Sequence, residues 1–156
     1  MEHPLFYHRP AKSAKEMNPL VLAYAGDAIY DLFVRQYIIA QVNHRPHHMH
    51  RTATRYVSAK AQSMAVSRLD LSEEEQDIVK RGRNAKSGSS PKNTDILQYR
   101  HSTAFECLLG YLYYEQRYER LRDLMEQSIR IVEGGNLESH QEHAYEVHPE
   151  GDSGGQ

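Results

Sequence analysis

Two acidic residues lie where acids are out of place. Asp27 falls near the middle of an apolar stretch running from Pro19 to about Ala40, directly after Gly26, and Glu106 sits within Ala104-Phe105-Glu106-Cys107-Leu108-Leu109-Gly110. A carboxylate removed from water is costly unless it is paired, protonated or bound to a cation. The ordinary reading is that each acid faces solvent on an amphipathic helix or pairs with a base such as Arg35. Gly26 and Gly110 argue against it, because a glycine inside a helix costs about 1 kcal/mol relative to alanine. Such a glycine is kept where two backbones, or a backbone and a ligand, approach closely. Two acids so flanked, on two apolar helices, can converge on one site and hold a hard cation such as Mg²⁺, which prefers carboxylate oxygens and retains several waters.

Positive charge is concentrated in one place. Over 156 residues the formal charge is -2, yet residues 80–100 carry Lys80, Arg81, Arg83, Lys86, Lys92 and Arg100 against Asp95 alone, a net +5. Residues 134–156 carry Glu138, Glu142, Glu146, Glu150 and Asp152 with no Lys or Arg, which leaves 1–133 at +3. The tail, opened by Gly134-Gly135 and poor in apolar residues, is expected to be disordered. The overall charge therefore conceals a basic segment suited to a polyanion.

Other reactive side chains carry weaker signals. His44, His47, His48 and His50 lie within seven residues and could bind Zn²⁺ or Ni²⁺, but nothing in the spacing fixes a tetrahedral geometry. His101 precedes the Glu106 segment and is either near the site or a capping and packing group. Tyr111, Tyr113 and Tyr114 could stack on bases, although their helical spacing suits core and interface positions better. Cys107 is the single cysteine, which excludes an internal disulfide and a cysteine zinc site. It reads as a small buried hydrophobe.

The elements that position these residues read as helices, and the fold class is all-α. Asn18-Pro19 starts a helix over 19–40 with Asn as N-cap and Pro at the first position. Leu22, Ala25, Ile29, Leu32 and Phe33 form its inward stripe, widened by Val21, Ala28 and Ile38, which suggests a helix buried on more than one side at the centre of a bundle. A second helix is expected over 47–68, with Ala53, Val57, Ala61, Met64 and Ala65 inward. Ser72 and Glu75 have the spacing of a capping box, opening a short helix that ends near Lys80 or Gly82. Residues 83–93 are turn and linker chemistry, the core of a basic loop over about 81–93. After a turn at 95–99, helices are expected over 101–115 and 118–133, the last stopped by Gly134-Gly135. No run approaches the eighteen apolar residues of a membrane span, and Met1–Pro10 lacks the apolar core of a secretory signal, so a soluble intracellular protein is expected.

Ala23-Tyr24-Ala25-Gly26-Asp27-Ala28-Ile29-Tyr30-Asp31-Leu32 resembles the signature helix of the ribonuclease III family, and residues Ser102 to Tyr113 resemble its second acidic helix. Arg81-Gly82-Arg83-Asn84-Ala85-Lys86 and Tyr99-Arg100 to Glu106 resemble the smaller Mini-ribonuclease III type. The likeness covers about 17–133. It implies a helical endonuclease domain, here 1–133, that cleaves double-stranded RNA as a homodimer with Mg²⁺, or Mn²⁺, on carboxylates. Asp27 and Glu106 take the places of the family's catalytic and metal-binding acids. Ala23 and Thr103 stand where the fuller signature has Glu and Asp, so half of the larger relatives' carboxylate set is absent. The products implied are 5'-phosphate and 3'-hydroxyl ends. Arg81, Arg83, Asn84, Lys86, Lys92 and Arg100 become the expected RNA contacts, since A-form RNA is read by shape, phosphates and 2'-hydroxyls. The larger relatives carry a separate double-stranded-RNA-binding domain, for which the roughly 23 residues after Glu133 are too few, so the nuclease domain must supply these contacts or a partner must help. The Mini type implies maturation of the 23S ribosomal RNA precursor in a bacterial cytoplasm, with a ribosomal protein as a further partner. The rival readings are a non-catalytic RNA-binding or ribosome-assembly module on the same fold and a generic helical interaction protein.

Overall fold

The computed structural model describes residues 7–41, 44–85 and 95–141, with side chains described as far as 134. Six helices carry the described chain, and no strand occurs among the described residues. The first, α1 (Pro19–Ile39), begins as its sequence predicts: Asn18 accepts a bond from the Leu20 amide at 2.9 Å, with Pro19 at the first position.

The expected helix over 47–68 is two helices, α2 (Pro46–Val57) and α3 (Ala59–Arg68). Ser58 breaks it. Its backbone is extended (φ -61°, ψ 153°) and its hydroxyl accepts from the Ala61 amide at 3.2 Å, the competition with helix that serine side chains offer. The next element, α4 (Glu73–Asn84), opens on the full capping box of Ser72 and Glu75. It runs past Gly82 and takes Arg83 and Asn84 out of the expected loop. A Cβ on Gly82 would lie 2.8 Å from the Cβ of Cys107 and 2.9 Å from the Cα of Ala104, so packing on the next helix sustains this last turn.

That next helix, α5 (Ile96–Tyr114), starts five residues earlier than expected, because Asp95 accepts from the amides of Leu97 and Gln98 at 3.0 and 3.2 Å and caps it. It ends in a left-handed Gln116 (φ 58°), where the Arg117 amide reaches back to the Leu112 carbonyl at 2.9 Å. The last helix, α6 (Tyr118–Gln141), runs through Gly134-Gly135 instead of stopping there. Gly134 meets nothing within 4 Å, and a helical glycine costs only about 1 kcal/mol. Residues 142–156 of the acidic tail lie outside the described residues.

The centre of the bundle is α5, not α1. Ala104, Phe105, Cys107, Leu108, Leu109, Tyr111 and Leu112 are all buried, and α1, α3, α4 and α6 pack around them. The buried face of α1 is Leu22, Ala23, Gly26, Tyr30, Val34 and Ile38, turned from the stripe read in the sequence, and Leu32 is half exposed. Polar cross-links tie the periphery to this core. The Arg120 guanidinium on α6 donates to both oxygens of the buried Glu75, at 3.0 and 2.9 Å, and to the Asp70 carbonyl at 2.8 Å. Glu133 accepts from the hydroxyls of Tyr37 and Tyr56.

Candidate active site

Two backbones in direct contact bring the acids together. A Cβ on Gly26 would lie 1.8 Å from the Glu106 carbonyl oxygen, and one on Gly110 would lie 2.0 Å from the Leu22 carbonyl oxygen. Leu22 and Gly26 on α1 thus face Gly110 and Glu106 on α5, one helical turn apart on each side. Only residues without a side chain allow that approach. Asp27 follows Gly26 immediately, so the contact that presses α1 onto Glu106 also delivers the second carboxylate.

The two acids differ in environment. Asp27 is exposed and Glu106 is partly buried. Burial and the neighbouring charge of Asp27 push the Glu106 carboxyl up to about 8, and the Ser102 hydroxyl acts in the opposite direction. Glu75 shows the contrast. Burial raises its carboxyl too, but the Arg120 guanidinium and the Ser72 cap outweigh that and hold it below the ordinary value. Among the described residues no lysine or arginine forms such a pair with Glu106. Arg35, the base that could have neutralised an acid here, pairs instead with Asp31 at 2.8 Å.

A hard divalent cation fits this donor set. Two carboxylates, one partly dehydrated and opposed by the other, need added positive charge to be ionised together, and carboxylate oxygens are the ligands Mg²⁺ and Mn²⁺ take. Among the described residues no third acid joins them. Ala23 is buried, and Thr103 donates its hydroxyl to the Tyr99 carbonyl of its own helix at 3.1 Å. Among the described residues no group of three His, Cys, Asp or Glu side chains is arranged to hold a metal. That includes the histidine cluster, where His44 bonds the Ile39 carbonyl at 2.8 Å and His48 lies 3.4 Å from the Thr52 hydroxyl.

The basic residues divide. Arg81, Arg83 and Asn84 occupy the last turn of α4, and Arg100 lies in the second turn of α5. Gly82, between the two arginines, rests on Ala104 and Cys107, which flank Glu106 in α5. Arg81 also reaches the Met17 carbonyl at 3.4 Å, and Arg83 reaches Asn84 at 3.5 Å. Lys86 and Lys92 lie outside the described residues. Of the remaining candidates, His101 lies 3.5 Å from Ser63 on α3. Tyr111 is buried with its hydroxyl on Glu74 at 2.7 Å, and Tyr113 and Tyr114 pack edge to face, ring centres 5.0 Å apart. Burial pushes the Cys107 thiol up to about 12 despite the Arg81 charge, so it is an inert packing group.

Sequence reasoning missed Gln62 and Ser102. Both are buried, at 2% and 6% exposure, and the Ser102 Oγ lies 2.6 Å from Gln62 Oε1 and 3.4 Å from Glu106 Oε1. A glutamine one position from Ala61, on the apolar face of α3, and a serine one turn before Glu106 were the available signals.

A helical bundle with a pair of acids set by a glycine contact between α1 and α5 invites comparison with a known class. Residues 20–117, which include both acids, match the Ribonuclease III domain, and the chain belongs to the ribonuclease III family. It is similar to Mini-ribonuclease 3 of Brevibacillus brevis, with 55% identity over 119 residues, 75% of this chain and 89% of that one. Mini-ribonuclease 3 of Staphylococcus aureus is 47% identical over 122 residues, 76% and 91% of the two chains. The crystal structure of a Fusobacterium nucleatum protein matches with a TM-score of 0.68 at 29% identity, over 77% of this chain and 98% of that one. Within the family the chain is of the Mini-ribonuclease 3 type, an endoribonuclease, which sets aside the non-catalytic module. No helix among the described residues is long and apolar enough to cross a membrane.

Proposed function

We propose that this endoribonuclease hydrolyses double-stranded RNA with Mg²⁺, or Mn²⁺ in its place, held by Asp27 and Glu106. The observation that carries the reading is Glu106, a carboxylate pushed up to about 8 by burial and by Asp27, with no lysine or arginine pairing with it among the described residues. A bound divalent cation supplies Lewis-acid stabilisation of charge at a phosphate and acidifies water there. The chain's own part is positional. The contact of Gly26 with the Glu106 carbonyl fixes the separation of the acids, and the end of α4 brings Arg81 and Arg83 to the segment of α5 that carries Glu106. These arginines, with Arg100, Asn84, Lys86 and Lys92, contact phosphates and 2'-hydroxyls of an A-form duplex, and cleavage leaves 5'-phosphate and 3'-hydroxyl ends.

The working unit is a homodimer. On α1, Val21, Tyr24 and Leu32 are 53%, 85% and 50% exposed and recur at helical spacing, an apolar stripe that a second copy of the chain would cover. Each subunit then presents one Asp27/Glu106 pair to one RNA strand. The substrate is the 23S ribosomal RNA precursor in a bacterial cytoplasm, with a ribosomal protein as a further partner, as the resemblance to the Mini type implies. The deciding experiment incubates purified protein with long double-stranded RNA in Mg²⁺ or in EDTA, beside the Asp27→Asn and Glu106→Gln variants. Fragments are expected only from wild type with metal. Wild-type rates from either variant, or cleavage in EDTA, would overturn the assignment.

A further inference from the structure

Four polar side chains of the described residues are buried: Gln62, Glu75, Ser102 and Ser128. Two have local explanations. Glu75 is paired with Arg120, and Ser128 donates to the Leu124 carbonyl of its own helix at 2.7 Å. Gln62 on α3 and Ser102 on α5 bond each other instead, 40 residues apart in sequence, and the next group in line is Glu106. An apolar pair would fill the same space without the desolvation cost of a buried amide and hydroxyl, so packing alone does not account for them.

The proton count sets the direction of this chain. A serine hydroxyl has one proton to give, and an ionised carboxylate can only accept. If that proton goes to Gln62, Glu106 receives nothing from Ser102. The oxygen and nitrogen of a carboxamide occupy nearly the same space, and with the Gln62 nitrogen turned to Ser102 the serine proton is free for Glu106. We propose that Gln62 and Ser102 are positioning residues: Gln62 Nε2 donates to Ser102 Oγ, Ser102 donates to Glu106 Oε1, and the carboxylate is thereby held in one orientation for the divalent cation. This rests on the Asp27/Glu106 metal site proposed above. Groups behind a metal ligand fix its rotamer in this way, and their loss characteristically weakens metal affinity about tenfold or more.

The test uses the full chain without RNA, with Mn²⁺ binding followed by electron paramagnetic resonance and thermal unfolding measured in parallel. Ser102→Ala and Gln62→Met should each weaken Mn²⁺ binding by about tenfold and raise the Mg²⁺ concentration for half-maximal cleavage by a similar factor, leaving RNA affinity in EDTA unchanged. The double variant should be no worse than either single one, because both interrupt the same chain, and Ser102→Thr, which keeps the hydroxyl, should restore binding. Lowered melting temperatures with unchanged Mn²⁺ and Mg²⁺ dependence, or variants too unstable to purify, overturn the proposal and make the pair a structural clamp between α3 and α5. Wild type that binds no Mn²⁺, or binds it equally well as Glu106→Gln, overturns the metal site itself, an outcome readily told apart from failure of the chain alone.

Discussion

Gly26→Ala separates two physical effects that predict opposite signs. Helix propensity says the change should stabilise α1 by about 1 kcal/mol. The structure says otherwise, because the new methyl would lie 1.8 Å from the Glu106 carbonyl oxygen and 3.0 Å from the Gly110 nitrogen, where an ordinary contact is about 3.5 Å. The obstacle is backbone in the most buried helix, so no rotamer change relieves it and α1 must move off α5 by more than an ångström. Overpacking that neighbours cannot absorb costs about 3 kcal/mol, the upper end of the usual range. Less the propensity gain, the variant should lose about 2 kcal/mol, which lowers Tm by roughly 8 °C in a domain of this size. Gly134→Ala is the control: nothing lies within 4 Å of its Cβ, so it should gain about 0.5–1 kcal/mol. Circular-dichroism melts of the two variants and wild type decide the matter. A Gly26→Ala protein as stable as Gly134→Ala would refute the close contact. A destabilised one that cleaves with the wild-type Mg²⁺ requirement, well below its Tm, would refute the claim that this contact sets the spacing of the acids.

Arg120→Ala should leave the Glu75 carboxylate buried without its partner and lower stability by about 2–3 kcal/mol, below the full value for a buried pair because the guanidinium is itself partly exposed; a urea midpoint matching wild type would refute this. In metal-free protein, Glu106 held at about 8 against an ordinary 4.5 keeps a proton in the folded state that the unfolded chain has released. Stability should therefore fall as pH rises from 4.5 to 8 and level off above that. Glu106→Gln, which never ionises, should remove this slope, and parallel curves for the two proteins in EDTA would count against the perturbed carboxyl. Arg81→Gln and Arg100→Gln should each reduce the dependence of log affinity for double-stranded RNA on log salt by about one unit; an unaltered slope would take these arginines off the RNA surface.

Much of this was legible in the sequence where one residue type forces one geometry. Asn18-Pro19 and the Ser72/Glu75 box announced two helix starts, and the glycines beside the acids pointed to the backbone contact before any coordinates. Errors arose where tertiary contacts override local preference. The face of α1 was misjudged because Val21 and Leu32 are apolar yet exposed, while Gly26, which no hydrophobicity scale marks as inward, is buried. Ser58 and Asp95 moved helix boundaries through side-chain bonds to backbone amides that a pattern of apolar residues does not register. Gly134-Gly135 was taken as a stop although α6 continues through both, and the weak signals of Gln62 and Ser102 gain meaning only when α3 is laid against α5.

In the site proposed here two acids serve where the resemblance to the larger relatives implies more. Binding of a divalent cation scales with ligand charge and with how rigidly the ligands are held, and Ala23 and Thr103 supply no charge. Orientation must then contribute more. The structure concentrates constraint on the two acids that remain: Gly26 and Gly110 fix the backbones that carry them, and the Ser102 hydroxyl lies against one oxygen of Glu106. The formal charge of -2 belongs largely to the acidic tail. At the site, Asp27 on α1 meets Glu106 in a segment of α5 that the arginine-bearing end of α4 packs against, negative charge for a cation beside positive charge for a phosphate. A phosphodiester hydrolase working as proposed, through a metal and through the backbone phosphates, needs both signs of charge close together, and neither is visible in the sum.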